Sequence, residues 1–183
     1  MIAPAMILPS LELVLHSPLP PLRAAQALQD SLVTRRGWAA WLSLSLSGGG
    51  GFVGTVTESA FECERDVGYR NSFLPKMKGT FSPDAERGGS RVALVLALHP
   101  VVAAFMYVWL GLVLLFGVPI AIATLSDVIG GDGERELGGA FVPVAMLAFG
   151  LVLPRLAFGY EAKKAVAFVK STLSAQELEP PAR

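Results

Sequence analysis

An α+β domain fused to a membrane hairpin is the fold class this sequence predicts, and three observations carry the prediction. Residues 101–125, VVAAFMYVWLGLVLLFGVPIAIATL, hold no charged side chain and nothing more polar than Thr124, Tyr107 and Trp109. At about 1.5 Å per residue they make a helix of roughly 37 Å, enough to cross a hydrocarbon core of about 30 Å with tilt to spare. A second uncharged run, 137–154, follows a short polar connection. Ahead of both lies a series of short segments with alternating apolar and polar residues, broken by turn residues, as an antiparallel meander requires. The composition agrees, with 52% hydrophobic against 16% charged residues and a mean hydropathy of +0.53.

Taken in order, residues 1–9 are expected to be a flexible N-terminus. The apolar start lacks a basic leading region and is cut by Pro4 and Pro9, a poor fit to a cleaved signal peptide. Residues 10–98 are expected to be the α+β domain. Leu11, Leu13 and Leu15 alternate as a strand with one buried face. Ser17 and Pro18 then offer a cap and a proline at a helix entrance, and Leu22, Ala25, Leu28 and Leu32 recur at helical spacing. Arg35, Arg36 and Gly37 mark the expected end, where cations suit the helix dipole and glycine permits a left-handed turn.

Leu42, Leu44 and Leu46, separated by serines, form the plainest period-two pattern in the chain. Strands are expected again over 52–57, 60–67, 73–81 and 91–98, with a polar hairpin loop over 82–90. In the middle pair Phe61 and Cys63 should face the core with Met77, Gly79 and Phe81. The opposite face should set Glu62 against Lys78 and Glu64 against Lys76, cross-strand pairs worth a few tenths of a kcal/mol each.

The first span, 99–125, opens at His99-Pro100, where the missing proline N–H costs nothing. Phe105, Tyr107 and Trp109 should form an interfacial aromatic belt, and Pro119 should kink the helix. After a polar connection, 126–136, the second span is expected over 137–156, with Pro143 and Pro154 bending or bounding it. A basic amphipathic helix over 157–176 should place Ala162, Val166, Val169 and Leu173 on one face, packed across the sheet in preference to lying on anionic lipid. The tail, 177–183, is expected to be disordered. Because the connection carries Asp127, Asp132, Glu134 and Glu136 against Arg135 alone, the cation-rich flanks define the inside. The expected location is the cytoplasmic membrane, multi-pass, with both termini cytoplasmic.

Several chemistries find no support. Net charge is zero, without a basic stripe for nucleic acid. Cys63 is the only cysteine, so no intrachain disulfide can form and the residue reads as a small buried hydrophobe. His16 and His99 lack metal-ligand spacing. The glycine pattern at Gly49, Gly51 and Gly54 matches a phosphate loop only formally, because strand rather than helix follows it. No catalytic residue, cofactor or metal is expected.

Gly54-Thr55-Val56, Phe61, Arg65, Tyr69-Arg70-Asn71-Ser72-Phe73-Leu74-Pro75, Gly79, Arg91, His99-Pro100 and Trp109 form a spaced pattern over 54–109. By that pattern the segment resembles a group of small bacterial two-span membrane proteins that carries no assigned activity. Physically, Arg65, Tyr69, Arg70 and Asn71 are the candidate ligand-binding residues, since an arginine fork and an asparagine at a loop tip can hold a phosphate or carboxylate. The competing reading makes them ordinary turn and ion-pair residues. The expected function is a membrane protein displaying a small cytoplasmic binding or scaffold domain. Its partners would be the lipid bilayer and, through the membrane helices, another protein or a second copy. An accessory subunit of a transporter or channel, and an enzyme acting on a lipid or phosphorylated substrate, are the alternatives.

Overall fold

The computed structural model describes residues 8–33, 51–67, 71–130 and 138–178. The chain divides into two compact units, one holding Pro100–Ala157 and the other Pro9–His99 with the chain from Phe158 onward. The expected strand over 42–46, the first residues and the last five lie outside the described residues.

The second unit is built on a strand Ser10–Ser17 (β1), a helix Pro21–Ser31 (α1), and the strands Phe52–Val56 (β2), Ala60–Arg65 (β3), Pro75–Pro83 (β4) and Ser90–Leu98 (β5). Among the described residues these form, with a short last strand Gln176–Glu177 (β6), a six-stranded sheet in the order β2-β3-β4-β5-β1-β6. Every pairing is antiparallel, so the meander expected from the alternating segments is present. Its inner face buries Leu15, Phe61, Cys63, Met77, Phe81, Val92, Leu94 and Leu96. Gly79 belongs to that face because a Cβ there would stand 2.3 Å from the Phe61 ring. Glu62 pairs with Lys78 in the expected register.

Helix α1 departs from expectation at both ends. Ser17 does not cap it: the strand ends there, the chain bends over Pro18 and Leu19, and a proline at the first turn starts the helix only after Pro20. Ser17 is buried instead, its hydroxyl donating to the Leu173 carbonyl at 2.7 Å and accepting from the Leu19 N–H. The helix stops at Ser31 because Leu32 turns extended and the Val33 N–H donates to the Phe52 carbonyl at 2.8 Å, joining the chain to β2. The later start moves the buried stripe to Ala24, Ala25 and Leu28 and leaves Leu22 exposed.

The first unit is apolar. A helix Pro100–Leu112 (α2) passes through a π-helical turn, Val113–Gly117, into a helix Val118–Ile129 (α3). The widened turn stands immediately before Pro119, the residue expected to disturb this helix. The returning helix, Gly138–Thr172 (α4), is continuous, with Pro143 and Pro154 inside it. Of the two outcomes expected for Pro143 and Pro154, a bend or a boundary, neither proline ends the helix, since a helix can absorb one missing N–H when its turns are otherwise satisfied. Three glycines record how these helices pack. A Cβ at Gly117 would meet Pro143 at 2.7 Å, one at Gly139 would meet Thr124 at 2.6 Å, and one at Gly150 would meet Trp109 at 2.3 Å. The partner's number falls as the glycine's rises, which is antiparallel packing with side chains of one helix seated on bare backbone of the other. Trp109 thus turns toward α4, while Phe105 and Tyr107 are exposed.

The helical end of α4 closes the sheet unit. Phe168 stacks on Phe52 with ring centroids 4.1 Å apart, and Ala162, Ala165, Val169 and Leu173 are buried. The amphipathic segment therefore packs on the sheet. Beyond it Ser174, at φ 49, reverses the chain in a left-handed cap, with the Ala175 N–H donating to the Lys170 carbonyl. That reversal puts Gln176–Glu177 on the edge of β1, held by the Leu178 N–H to the Val14 carbonyl and by Lys170 to Glu177 at 2.7 Å. Glu177 and Leu178, expected in a disordered tail over 177–183, are held on the sheet, and the last five residues lie outside the described ones.

Candidate functional site

Of the four candidate residues, Tyr69 and Arg70 lie outside the described residues, and the other two have local work. Asn71 closes its own turn, its Oδ1 accepting from the Phe73 N–H at 3.0 Å and its carbonyl from the Leu74 N–H at 3.3 Å. Arg65 ends β3 on the same face as Phe61 and Cys63, four and two residues before it. Its guanidinium donates to Glu161 Oε2 at 2.7 Å, and that carboxylate is 2% exposed. Lys164 Nζ approaches the other oxygen at 3.5 Å and sits 3.8 Å from the centre of the Tyr160 ring. An acid from α4 is thus clasped by a cation from β3 and one from its own helix.

Sequence reasoning missed Glu161. A signal was present: it is the sole carboxylate between Glu136 and Glu177, and it adjoins Ala162 on the buried stripe. An acid isolated in a basic, apolar helix must find cations or stay in water.

A second place with chemical content is an open cleft of about 390 Å³ where the end of α1 meets β2, β3 and β4. Gln29, Thr55, Glu62, Cys63, Glu64 and Lys76 line it. Glu62 receives Lys78 at 3.1 Å and Lys76 at 3.7 Å, so Lys76 leans toward Glu62, whereas its expected place is opposite Glu64. The hydrogen bond from Lys78, joined by the charge of both lysines, outweighs burial and holds the Glu62 carboxyl below its usual range. Cys63 goes the other way. Burial, reinforced by the Glu62 charge, pushes its thiol up to about 12. A thiol that stays protonated at neutral pH is a poor nucleophile, and the charged groups this cleft presents are those of Glu62, Glu64 and Lys76. On the outer face a shallower cleft of about 400 Å³ shares Glu62 and adds Lys78, Thr80, Ala93 and Val95.

A third polar feature sits at the β4–β5 turn. Asp84 Oδ1 accepts from the Glu86 and Arg87 N–H groups, both at 3.2 Å, and Gly88 and Gly89 adopt φ of 72° and 75°. His16 Nε2 donates to the Gly88 carbonyl at 2.9 Å, since a carbonyl can only accept. Burial raises the Asp84 carboxyl, but the two N–H donors, with Arg91 and His16, overcome it and hold the group below its usual range. This constellation locks a turn; Gly89 approaches the Ser17 carbonyl so closely that a Cβ there would stand 2.2 Å away.

Among the described residues no group of three or more His, Cys, Asp or Glu side chains could hold a metal ion. No protein-family model matches the chain, and no curated protein matches it.

Proposed function

We propose that this is an integral membrane protein of two spans that carries a small α+β binding or scaffold domain on the cytoplasmic side. The observation behind the proposal is where the apolar side chains go. The helical runs Pro100–Asp127 and Gly139–Thr172 are long and apolar enough to cross a membrane, and only 22% of each apolar window is buried. Phe105, Leu115, Phe116, Ile120, Ile122, Phe141, Val144, Phe149 and Leu156 are each more than half exposed. A water-soluble chain does not leave so continuous an apolar surface open, whereas lipid solvates it at no cost. The acidic connection and the basic flanks support the cytoplasmic placement of the domain.

The domain's role as a binder rests on the cleft beside β2 and on the charged side chains of Glu62, Glu64 and Lys76 that line it. Alkaline carbonate extraction of expressing membranes tests insertion, with the protein expected to stay in the pellet. Release into the supernatant would overturn the proposal. Cys63 is buried, so it serves as a silent background for topology: Ser126→Cys should react with an impermeant maleimide only from the outer side. Labelling from the inner side alone would overturn the orientation.

A further inference from the structure

Helix α4 carries a surface that the binding cleft does not use. About 20 residues of helix, roughly 30 Å, cover a hydrocarbon core, so a span entered at Gly139 leaves it near Phe158. Tyr160, Lys163 and Lys164 then stand about 3 to 9 Å further along the axis, within the headgroup layer. Tyr160 is 63% exposed, and its one interaction among the described residues is the cation–π contact with Lys164. Lys163 is exposed beside it, and the Lys164 amine is shared between the Tyr160 face and Glu161. The sole carboxylate here is Glu161, buried and already met by Arg65, so the outward charge of this turn is positive.

Resting on the membrane reading above, we infer that Tyr160, Lys163 and Lys164 form a binding surface for the phosphate of an anionic phospholipid in the leaflet through which α4 leaves the bilayer. Two ammonium groups supply charge, and the phenol supplies a hydrogen-bond donor at the same height. Tyr160 also fixes Lys164: the ring holds the ammonium by its π face, so the cation does not have to be immobilised when the lipid arrives. Lys170, two turns further on, is occupied by Glu177 at 2.7 Å and takes no part.

The test uses the full chain reconstituted in phosphatidylcholine vesicles with spin-labelled phosphatidylglycerol or spin-labelled phosphatidylcholine, reading the motionally restricted fraction. A cation near the surface is worth roughly fivefold in affinity for anionic lipid, so the wild type should prefer phosphatidylglycerol several-fold. The preference should vanish in Lys163→Ala/Lys164→Ala, weaken in Tyr160→Leu, and survive in Lys170→Ala. Equal binding of the two lipids by the wild type overturns the inference, and so does an equal loss in Lys170→Ala, which would mean diffuse charge. Competition by millimolar glycerol phosphate would assign the surface to a free phosphate instead and overturn the lipid assignment. Carbonate extraction reads the membrane proposal separately, so a chain that inserts yet shows no lipid preference refutes this inference alone.

Discussion

The clasp between Arg65 and Glu161 makes a prediction whose size follows from its geometry. Removing one partner of a buried ion pair costs about 3–5 kcal/mol, because the other charge is left without compensation. Two features reduce that figure for Arg65→Met. The arginine is 21% exposed, so part of its field is screened, and Lys164 stays 3.5 Å from the stranded carboxylate. The expected loss is therefore about 2 kcal/mol, which for a domain of this size lowers Tm by roughly 8–12 °C. Glu161→Met strands Arg65 instead, but that side chain can swing its head into water, and about 1 kcal/mol is expected. The double variant replaces a pair by packed methionines and should regain most of the loss, giving an interaction energy of about 1–2 kcal/mol in a double-mutant cycle. Circular dichroism melts of the full chain in a mild non-ionic detergent measure all four species. Added salt should change the result little, since the carboxylate is buried. If the two single effects simply add, the pair is not a clasp and α4 is held on the sheet by its apolar stripe alone.

Three further outcomes follow from the sheet and the hairpin. Cys63 should resist alkylation at pH 8 in the native protein and react once the chain is unfolded, because its thiol titrates near 12 only while buried; labelling followed by mass spectrometry decides this, and ready native labelling would show that the inner face is open. Asp84 has a folded pKa below its unfolded value near about 3.9, so its contribution is complete above that value and disappears as the pH falls through the folded one. Thermal stability between pH 5 and 3 should accordingly fall more steeply in the wild type than in Asp84→Asn, and parallel curves would remove Asp84 from the acid response. Gly150→Val should destabilise the apolar unit by about 1–3 kcal/mol by driving Cβ into Trp109, read as a lower aggregation temperature in detergent, while Gly111→Val, where no atom lies within 4 Å, should not.

What could be read from the residues, and what could not, divides along a physical line. Period-two alternation places β2 to β5 and even pairs Glu62 with Lys78, because a strand's two faces are written into every second residue and a one-residue slip would bury the charges. Two uncharged runs announce the long apolar helices by length alone. Features that depend on partners far apart in the chain leave no local mark. Arg65 reads from the sequence as either a ligand-binding or an ion-pair residue on an expected strand, and only the fold, by carrying Glu161 to the end of β3, shows which carboxylate it meets. Ser17 likewise has the form of a helix cap, yet the carbonyl of Leu173 claims its hydroxyl across more than 150 residues of sequence. Pro154 leaves its outcome open in the same way, as a bend or a boundary. Pro154 has the sign of a helix end, but α4 runs through it, and its fully buried ring shows that packing at that turn supports the helix the lost hydrogen bond would have weakened. The one sequence signal that should have been weighed more heavily is the isolated acid at Glu161. A carboxylate in an apolar helix must be compensated, and a search for its cation among strand ends would have led back to Arg65 and, through Lys164, to the exposed face of Tyr160.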